Sequence, residues 1–255
     1  MSALDLSAVA RRPYKTEAIV LRSLRFSEAD RILHLYTLDR GRISAIAKGV
    51  RKTKSRFGAR LEPLSHVELV LHEGSGELQT VTGVELIRSH HAVRDDTYRL
   101  GIGLLGAEAM LRLFAEPEAN PRAFAALTKF LDVLDEAPTR PGSRPELDPL
   151  ALSFQLKLLW VSGYLPHLTG CVECGEHEDL VGFSPRAGGA VCRLHARGSI
   201  SLSPEGLSGI EQLLSAPMAD AQAAAIGDRA EREAHAVITS TYEEHGGFRL
   251  RTLSA

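Results

Sequence analysis

The stretch Arg31–Ala47, RILHLYTLDRGRISAIA, decides the fold of the front of this chain. Over its first residues Ile32, His34 and Tyr36 alternate against Leu33, Leu35 and Thr37. A period of two is that of a β-strand, whose successive side chains point to opposite faces. Both faces are largely apolar, as expected for a strand in a barrel that also packs against something else. Asp39-Arg40-Gly41-Arg42 is a compact turn signal, and Ile43–Ala47 follows as a further strand. Upstream, Thr16–Leu24 (TEAIVLRSL) has a β-rich centre at Ile19-Val20-Leu21. These three segments predict an antiparallel meander.

Downstream, His66–His72 reads HVELVLH, with Val67, Leu69 and Leu71 on one face and Glu68 and Val70 on the other. Gly74-Ser75-Gly76 is a hairpin turn, and Leu78–Leu86 closes the set. Five short strands in about 75 residues, broken between the third and fourth, match the size and layout of an OB-fold. Small Greek-key and SH3-like barrels give a similar pattern. The first residues, up to about Pro13, read as a loose extension.

From about His90 the period becomes helical. Asp96–Glu116 sets Leu100, Leu104, Ala107, Met110, Leu111 and Phe114 on one stripe. A second helix is expected from Pro121 to Glu136, a third over Leu150–Ser162, a fourth from Ser203-Pro204, and a last over Asp228–His245. The proline-rich segment Pro138–Pro149 reads as a loop. The expected architecture is α+β and multi-domain: residues 1–86 as a small β-barrel, of OB-fold or of Greek-key or SH3-like kind, and residues 87–255 as an α-helical domain. A zinc-finger-like insertion falls at about 168–198.

Three cysteines serve 255 residues, and all fall between Cys171 and Cys192. An odd count argues against a disulfide framework. Cys171-x-x-Cys174 and Cys192-x-x-His195 are two close pairs able to converge on one tetrahedral ion. Three thiolates and an imidazole suit Zn2+. Four protein ligands leave no open position for water, so the site reads as structural. Three buried cysteines with a solvated histidine would explain neither the spacing nor the absence of cysteine elsewhere. The deaminase pattern is missing, as is His-Glu-x-x-His. His177, in a charged GEHED run, reads as a surface residue.

The net charge of −2 hides an asymmetry. Residues 1–86 carry 14 Lys and Arg against 10 Asp and Glu, and the remainder 16 against 22. Between Asp39 and Glu62 there is no acid, but Arg40, Arg42, Lys48, Arg51, Lys52, Lys54, Arg56 and Arg60 all occur there. A flexible cationic loop on a small barrel suits a phosphate backbone. A solvated loop without a partner is the alternative. Phe26, Tyr36 and Phe57 could stack on bases but read more readily as core.

No Walker-type phosphate loop or catalytic triad stands out. Gly101-Ile102-Gly103-Leu104-Leu105-Gly106 matches GxGxxG literally, yet it lies inside a helical stripe and follows no strand. It reads as small-residue helix packing. No apolar run approaches the ~20 residues of a membrane span. The N-terminus, MSALDLSAVARRPYK, has no uninterrupted apolar region of a secretory signal, so the expected compartment is the cytoplasm.

Gly41-Arg42-Ile43, Ala47-Lys48-Gly49-Val50-Arg51-Lys52, Ser55 and Leu61-Glu62-Pro63-Leu64 together resemble the RecO family of bacterial DNA-repair recombination mediators. Ala18–Leu21, Ser27–Arg31 and Leu35-Tyr36-Thr37 fit the same pattern, as does the order of barrel, helices and metal-type cluster. His195 departs from it, since many members carry cysteine at that position. The resemblance implies that residues 1–86 are an OB-fold nucleic-acid-binding domain, in a non-enzymatic protein that binds single- and double-stranded DNA and anneals complementary strands. It implies RecR and single-strand-binding protein as partners, help in loading RecA, and a place at the nucleoid. The competing readings are a zinc-dependent hydrolase or deaminase, and a zinc-containing protein-interaction adaptor.

Overall fold

The computed structural model describes residues 12–52, 55–74, 76, 78–140 and 142–252. It divides into two compact units, residues 1–89 and 90–255. In the first, β1 (Tyr14–Arg25), β2 (Arg31–Thr37), β3 (Gly41–Ala47), β4 (His66–His72) and β5 (Leu78–Arg88) form a closed barrel in the order β1-β2-β3-β5-β4. β3 and β5 run parallel, every other neighbouring pair antiparallel, and β1 pairs with β4 to close the ring. This five-stranded Greek-key barrel is the OB architecture.

Alternation explains what fills it. Ala18 and Val20 of β1, Leu33 and Leu35 of β2, Ile43 and Ala45 of β3, and Leu69 and Leu71 of β4 all pack in one buried cluster. Phe57 and Leu61, from the connection between β3 and β4, join that cluster. Tyr36 is also buried. Phe57 and Tyr36 are therefore core residues, whereas Phe26 is exposed. Gly41 and Gly49 hold positive φ (62° and 69°) where β3 begins and just after it ends, a conformation glycine adopts without steric cost.

β1 is longer than alternation alone indicated, and it is not regular. Its register against β2 shifts between Val20 and Arg22. Ahead of the shift Val20 faces Leu35, and behind it Arg22 faces His34. Leu21 is the extra residue of this bulge.

In the second unit a short α1 (His91–Asp95) precedes α2 (Thr97–Leu113), α3 (Pro121–Glu136) and α4 (Pro149–Ser162). The helix starts are capped. Asp96, Asn120 and Asp148 accept from the backbone N–H of Arg99, Ala123 and Leu150, and proline opens α3 and α4. α4 is buried nearly all round, from Leu150 to Leu159. Trp160 is 60% exposed, so the single tryptophan lies outside the core.

The stripe expected on α2 holds at Ala107 and Met110, which are buried, and is displaced elsewhere. Leu100, Leu104, Leu111 and Phe114 are only half-buried, while Ile102, Gly103, Leu105, Gly106 and Ala109 are buried. α2 is apolar on most of its surface, so periodicity did not identify its inward face. Gly106 marks it, because it admits the rings of Phe130 and Phe154.

α4 ends at Gly163, with φ 83°. An excursion then precedes α5 (Pro204–Ser215) and α6 (Asp228–Thr241). It contains β6 (Leu180–Ser184), β7 (Gly189–Cys192) and β8 (Ile200–Ser201), in the order β7-β6-β8. Ser203 caps α5 by accepting from Gly206 N–H. At its other end the Lys157 ammonium, reaching over from α4, donates to the carbonyls of Leu213, Leu214 and Ala216 at 2.8–2.9 Å. Among the described residues no helix is long and apolar enough to cross a membrane.

Candidate metal centre and nucleic-acid interface

The hairpin β6–β7 brings the two halves of the Cys/His cluster together. Cys171 and Cys174 lie on a tight knuckle before it, where Gly175 N–H donates to Cys171 C=O at 2.8 Å and Cys171 N–H to Glu176 C=O at 2.7 Å. Gly175 takes φ 78° to complete the turn. Val172 N–H donates to Ala190 C=O at 3.0 Å, which ties the knuckle to β7. Cys192 ends β7, and the single helical turn Arg193–His195 returns the imidazole to the sulfurs.

The four ligand atoms lie within 4.8 Å of one another. Cys174 and Cys192 sulfurs are 3.8 Å apart, and His195 Nδ1 stands 3.7 Å from Cys171 Sγ and 3.4 Å from Cys192 Sγ. Bonds of about 2.3 Å to sulfur and 2.0–2.1 Å to nitrogen at tetrahedral angles require edges of roughly 3.5–3.8 Å. These three edges match those of a zinc site, and the Cys3His donor set could hold such an ion.

The electrostatics favour the thiolate at Cys171 and Cys192, whereas at Cys174 the Glu176 backbone N–H is outweighed by burial and the neighbouring sulfurs, which raise its pKa. Burial opposes ionisation of Cys171, but the backbone N–H groups of Cys192, Glu173 and Cys174 and the Cys174 thiol bring its pKa down to about 6. His195 lowers the pKa of Cys192, and Cys192 and Cys171 raise that of His195. His177 stands outside the set: its Nδ1 donates to Thr169 C=O at 2.6 Å, and it is exposed.

On the barrel the basic residues separate into two groups. Lys48, Lys52, Arg56 and Arg60 are exposed. Arg56 lies over the Phe57 ring at 4.8 Å, and Arg60 donates to Arg56 C=O at 3.1 Å. Lys48 and Lys52 flank the turn at Gly49, which Asp30 fixes by accepting from Gly49 N–H at 2.7 Å. Lys54 lies outside the described residues.

The second group is partly engaged. Arg51 is exposed, but its guanidinium donates to Glu28 C=O at 2.8 Å and its backbone N–H to Ala29 C=O at 3.0 Å. It braces the β1–β2 turn. Arg40 pairs with Glu73 and lies over the Tyr14 ring at 3.7 Å. Arg42 projects from β3 on the outer face.

Arg22 and His34, neither of which the sequence reading singled out as functional, stand on that same face. The register sets Arg22 of β1 opposite His34 of β2, and His34 opposite Ser44 of β3. Alternation counted from Val20 would have turned Arg22 inward, so only the bulge reveals it.

The chain matches two family models end to end: "Recombination protein O N terminal" over residues 12–90 and "Recombination protein O C terminal" over residues 94–254. A "DNA repair protein RecO" from Rubrobacter xylanophilus is 40% identical over 215 residues, covering 82% of this chain and 83% of that protein. The protein of that name from Heliobacterium modesticaldum is 36% identical over 252 residues, 95% and 89% of the two chains. That from Thermobifida fusca is 37% identical over 223 residues, 86% and 88%. With both halves matched in order, and relatives above 30% identity along most of their length, the chain belongs to the RecO family.

Proposed function

We propose that this chain is a DNA-repair recombination mediator without catalytic activity, which binds single- and double-stranded DNA and anneals complementary strands. The observation that carries the reading is an exposed cationic surface on an OB barrel. Between Asp39 and Glu62 no acid interrupts it, and Lys48, Lys52, Arg56 and Arg60 all reach solvent. The names of the relatives agree with a role in DNA repair.

The physical step is charge neutralisation. Two DNA strands repel through their phosphates, and the repulsion opposes the encounter that base pairing needs. Cations held on a rigid barrel displace condensed counterions and let both backbones approach one surface. The bases then remain free to pair, and no bond is made or broken by the protein. With about six phosphate contacts, affinity falls with salt at a log–log slope of roughly −4 to −5.

The Cys171/Cys174/Cys192/His195 cluster holds Zn2+ in a structural role, as a clip for a glycine-rich excursion that has little core of its own. RecR, single-strand-binding protein and, through them, RecA are the protein partners of this reading, with the cytoplasmic nucleoid as its location. The test is strand annealing and DNA affinity titrated against salt, for the wild type and a variant with Lys48, Arg51, Lys52, Lys54 and Arg56 neutralised together. Loss of most annealing and a shallower salt slope support the reading. Unchanged affinity in that variant removes the loop from it.

A further inference from the structure

We infer that Phe26, in the β1–β2 turn, is a stacking platform for an unpaired base, and that it gives the barrel a preference for single-stranded over duplex DNA. The inference rests on the DNA-binding reading above and adds to it the residue that senses strandedness.

Exposure is the first observation. Tyr36 and Phe57 are buried, whereas Phe26 is 59% exposed. The turn itself has no use for the ring. Phe26 N–H donates to Asp30 C=O at 3.1 Å, a backbone contact that any residue but proline would make. Its φ is not positive, so no special conformation selects it. Among the described residues the ring joins no aromatic pair and no cation–π contact.

A single exposed apolar side chain is ordinary on a protein surface. What sets Phe26 apart is how firmly its turn is held. Ser27 Oγ accepts from Asp30 N–H at 3.1 Å, and the Asp30 carboxylate accepts from Gly49 N–H at 2.7 Å. Arg51 N–H donates to Ala29 C=O at 3.0 Å, and the Arg51 guanidinium to Glu28 C=O at 2.8 Å. The β1–β2 turn and the turn after β3 are thus tied into one body. An aromatic ring on a pre-ordered turn loses little freedom when something stacks on it.

Charge identifies the occupant. Arg25 of β1 faces Arg31 of β2, which faces Ala47 of β3. Phe26 and Lys48 are the next residues out on either flank of that row, roughly 10 Å apart at two strand spacings. Arg25, Lys48, Arg51 and Lys52 are exposed at this end of the barrel, against the acids Glu28 and Asp30. The Asp30 carboxylate is already engaged by Gly49 N–H. A nucleotide matches this pairing of ring and cations, because its base has a π-face and its phosphate is anionic. An apolar protein side chain would satisfy the ring and leave the cations unanswered.

Strandedness follows from the chemistry of stacking. Inside a duplex both faces of a base are covered by its neighbours, so only an unpaired base can lie on Phe26. The phosphate contacts of Lys48 and Lys52 serve both forms of DNA. A base that pairs must leave the ring, so the protein releases the duplex more readily than the strands it anneals.

The experiment uses the full chain. Fluorescence anisotropy is measured with a labelled single strand, its duplex, and the same strand carrying abasic sites, each titrated against salt. F26A, F26L and F26W are compared with the wild type, and thermal melts verify that each is folded. F26A should bind the single strand about five- to fiftyfold more weakly, with an unchanged salt slope. Its affinity for the duplex and for the abasic strand should stay within about twofold of the wild type, since neither offers a free base face. F26W should restore tight single-strand binding, and F26L, apolar but without a π-face, should remain weak. A folded F26A or F26L with wild-type single-strand affinity would overturn the platform while leaving DNA binding intact. Equal losses for single strand and duplex would overturn it too. A wild type that binds no oligonucleotide at low salt would instead remove the function on which it rests. A self-associating wild type whose F26A variant is monomeric, with unchanged strand affinity, would assign the ring to a second copy of the chain and overturn it as a base platform.

Discussion

Gly106 on α2 packs against the ring of Phe130 on α3: a methyl group at Gly106 would stand 2.6 Å from the nearest carbon of that ring. It would also come within 3.0 Å of Phe154 on α4. The two rings are stacked at 4.0 Å with 7° between their planes, so neither can withdraw without breaking the stack. Gly106→Ala gains about 1 kcal/mol of helix propensity. Overpacking costs about 1–3 kcal/mol and outweighs it. The expected result is a lower Tm with unchanged DNA affinity, measured by calorimetry and anisotropy. A more stable variant would mean that the three helices are less tightly packed than described.

Removal of the metal should act on stability first. Cys171→Ser, or chelation of the wild type, is expected to release one zinc ion per chain and to lower amide protection across β6 and β7. The barrel contains none of the ligands, and its protection should stay as it was. A cobalt-substituted protein should give the absorption of a tetrahedral site with three sulfurs and one nitrogen. Exchangeable water on that cobalt would revive the hydrolytic reading.

Arg51 and Lys52 are adjacent in sequence but should behave differently. Lys48→Gln with Lys52→Gln should reduce the salt slope for duplex DNA by roughly 2, with little change in Tm. Arg51→Gln removes the brace on Glu28 C=O and should cost stability of about 0.5–1.5 kcal/mol. Salt-titrated anisotropy beside urea unfolding separates the two effects.

Asp148 is fully buried and does more than cap α4. Its carboxylate accepts from Leu150 N–H at 2.8 Å, from the Tyr98 hydroxyl at 2.8 Å and from Gln222 Nε2 at 3.0 Å. Burial and this carboxylate together raise the pKa of the Tyr98 phenol, which stays a neutral donor. Asp148→Ala leaves three donors without their acceptor and should cost about 3–5 kcal/mol. Asp148→Asn, which keeps an oxygen acceptor, should cost less. Urea midpoints measure both.

His235 supplies a pH dependence of folding. Burial holds its imidazole below the ordinary 6.5, with Glu146 opposing and Arg144 adding to the shift. The unfolded chain therefore takes up the proton first. This part of the stability is present above pH 6.5, falls as the solution is acidified through that value, and levels off below the folded-state value. Urea midpoints of the wild type and His235→Gln across that range should converge on the acid side.

The strands were legible because alternation is a local property, and the Cys/His cluster because its spacing is. The helix start at Ser203-Pro204 was legible for the same reason. What escaped depends on partners distant in sequence. Counting from Val20 gives Arg22 the wrong face, because a bulge is defined by the opposing strand. α2 hid its inward face because leucines surround it, and only the rings of α3 and α4 select Gly106. Lys157 gave no sign that its ammonium would close the end of α5. The eight cations of the β3–β4 region could be counted, but not sorted into those facing solvent and those, like Arg40 and Arg51, held by neighbours.

The closure of the barrel also constrains the order in which the chain folds. β1, β2 and β3 are joined by short turns and can zip together as a local unit. The seam between β1 and β4 joins Tyr14 to Leu71 and Ile19 to His66, so it forms only after the long connection has been reeled in. Distant pairings of this kind are slow, because loop entropy is lost before the contacts form. Phe57 and Leu61, on that connection, bury themselves among the residues of the early strands. Their collapse onto the open meander shortens the search for β4. Phe57→Ala should therefore slow refolding as well as weaken the native state, a kinetic role for a ring that stacks on no base.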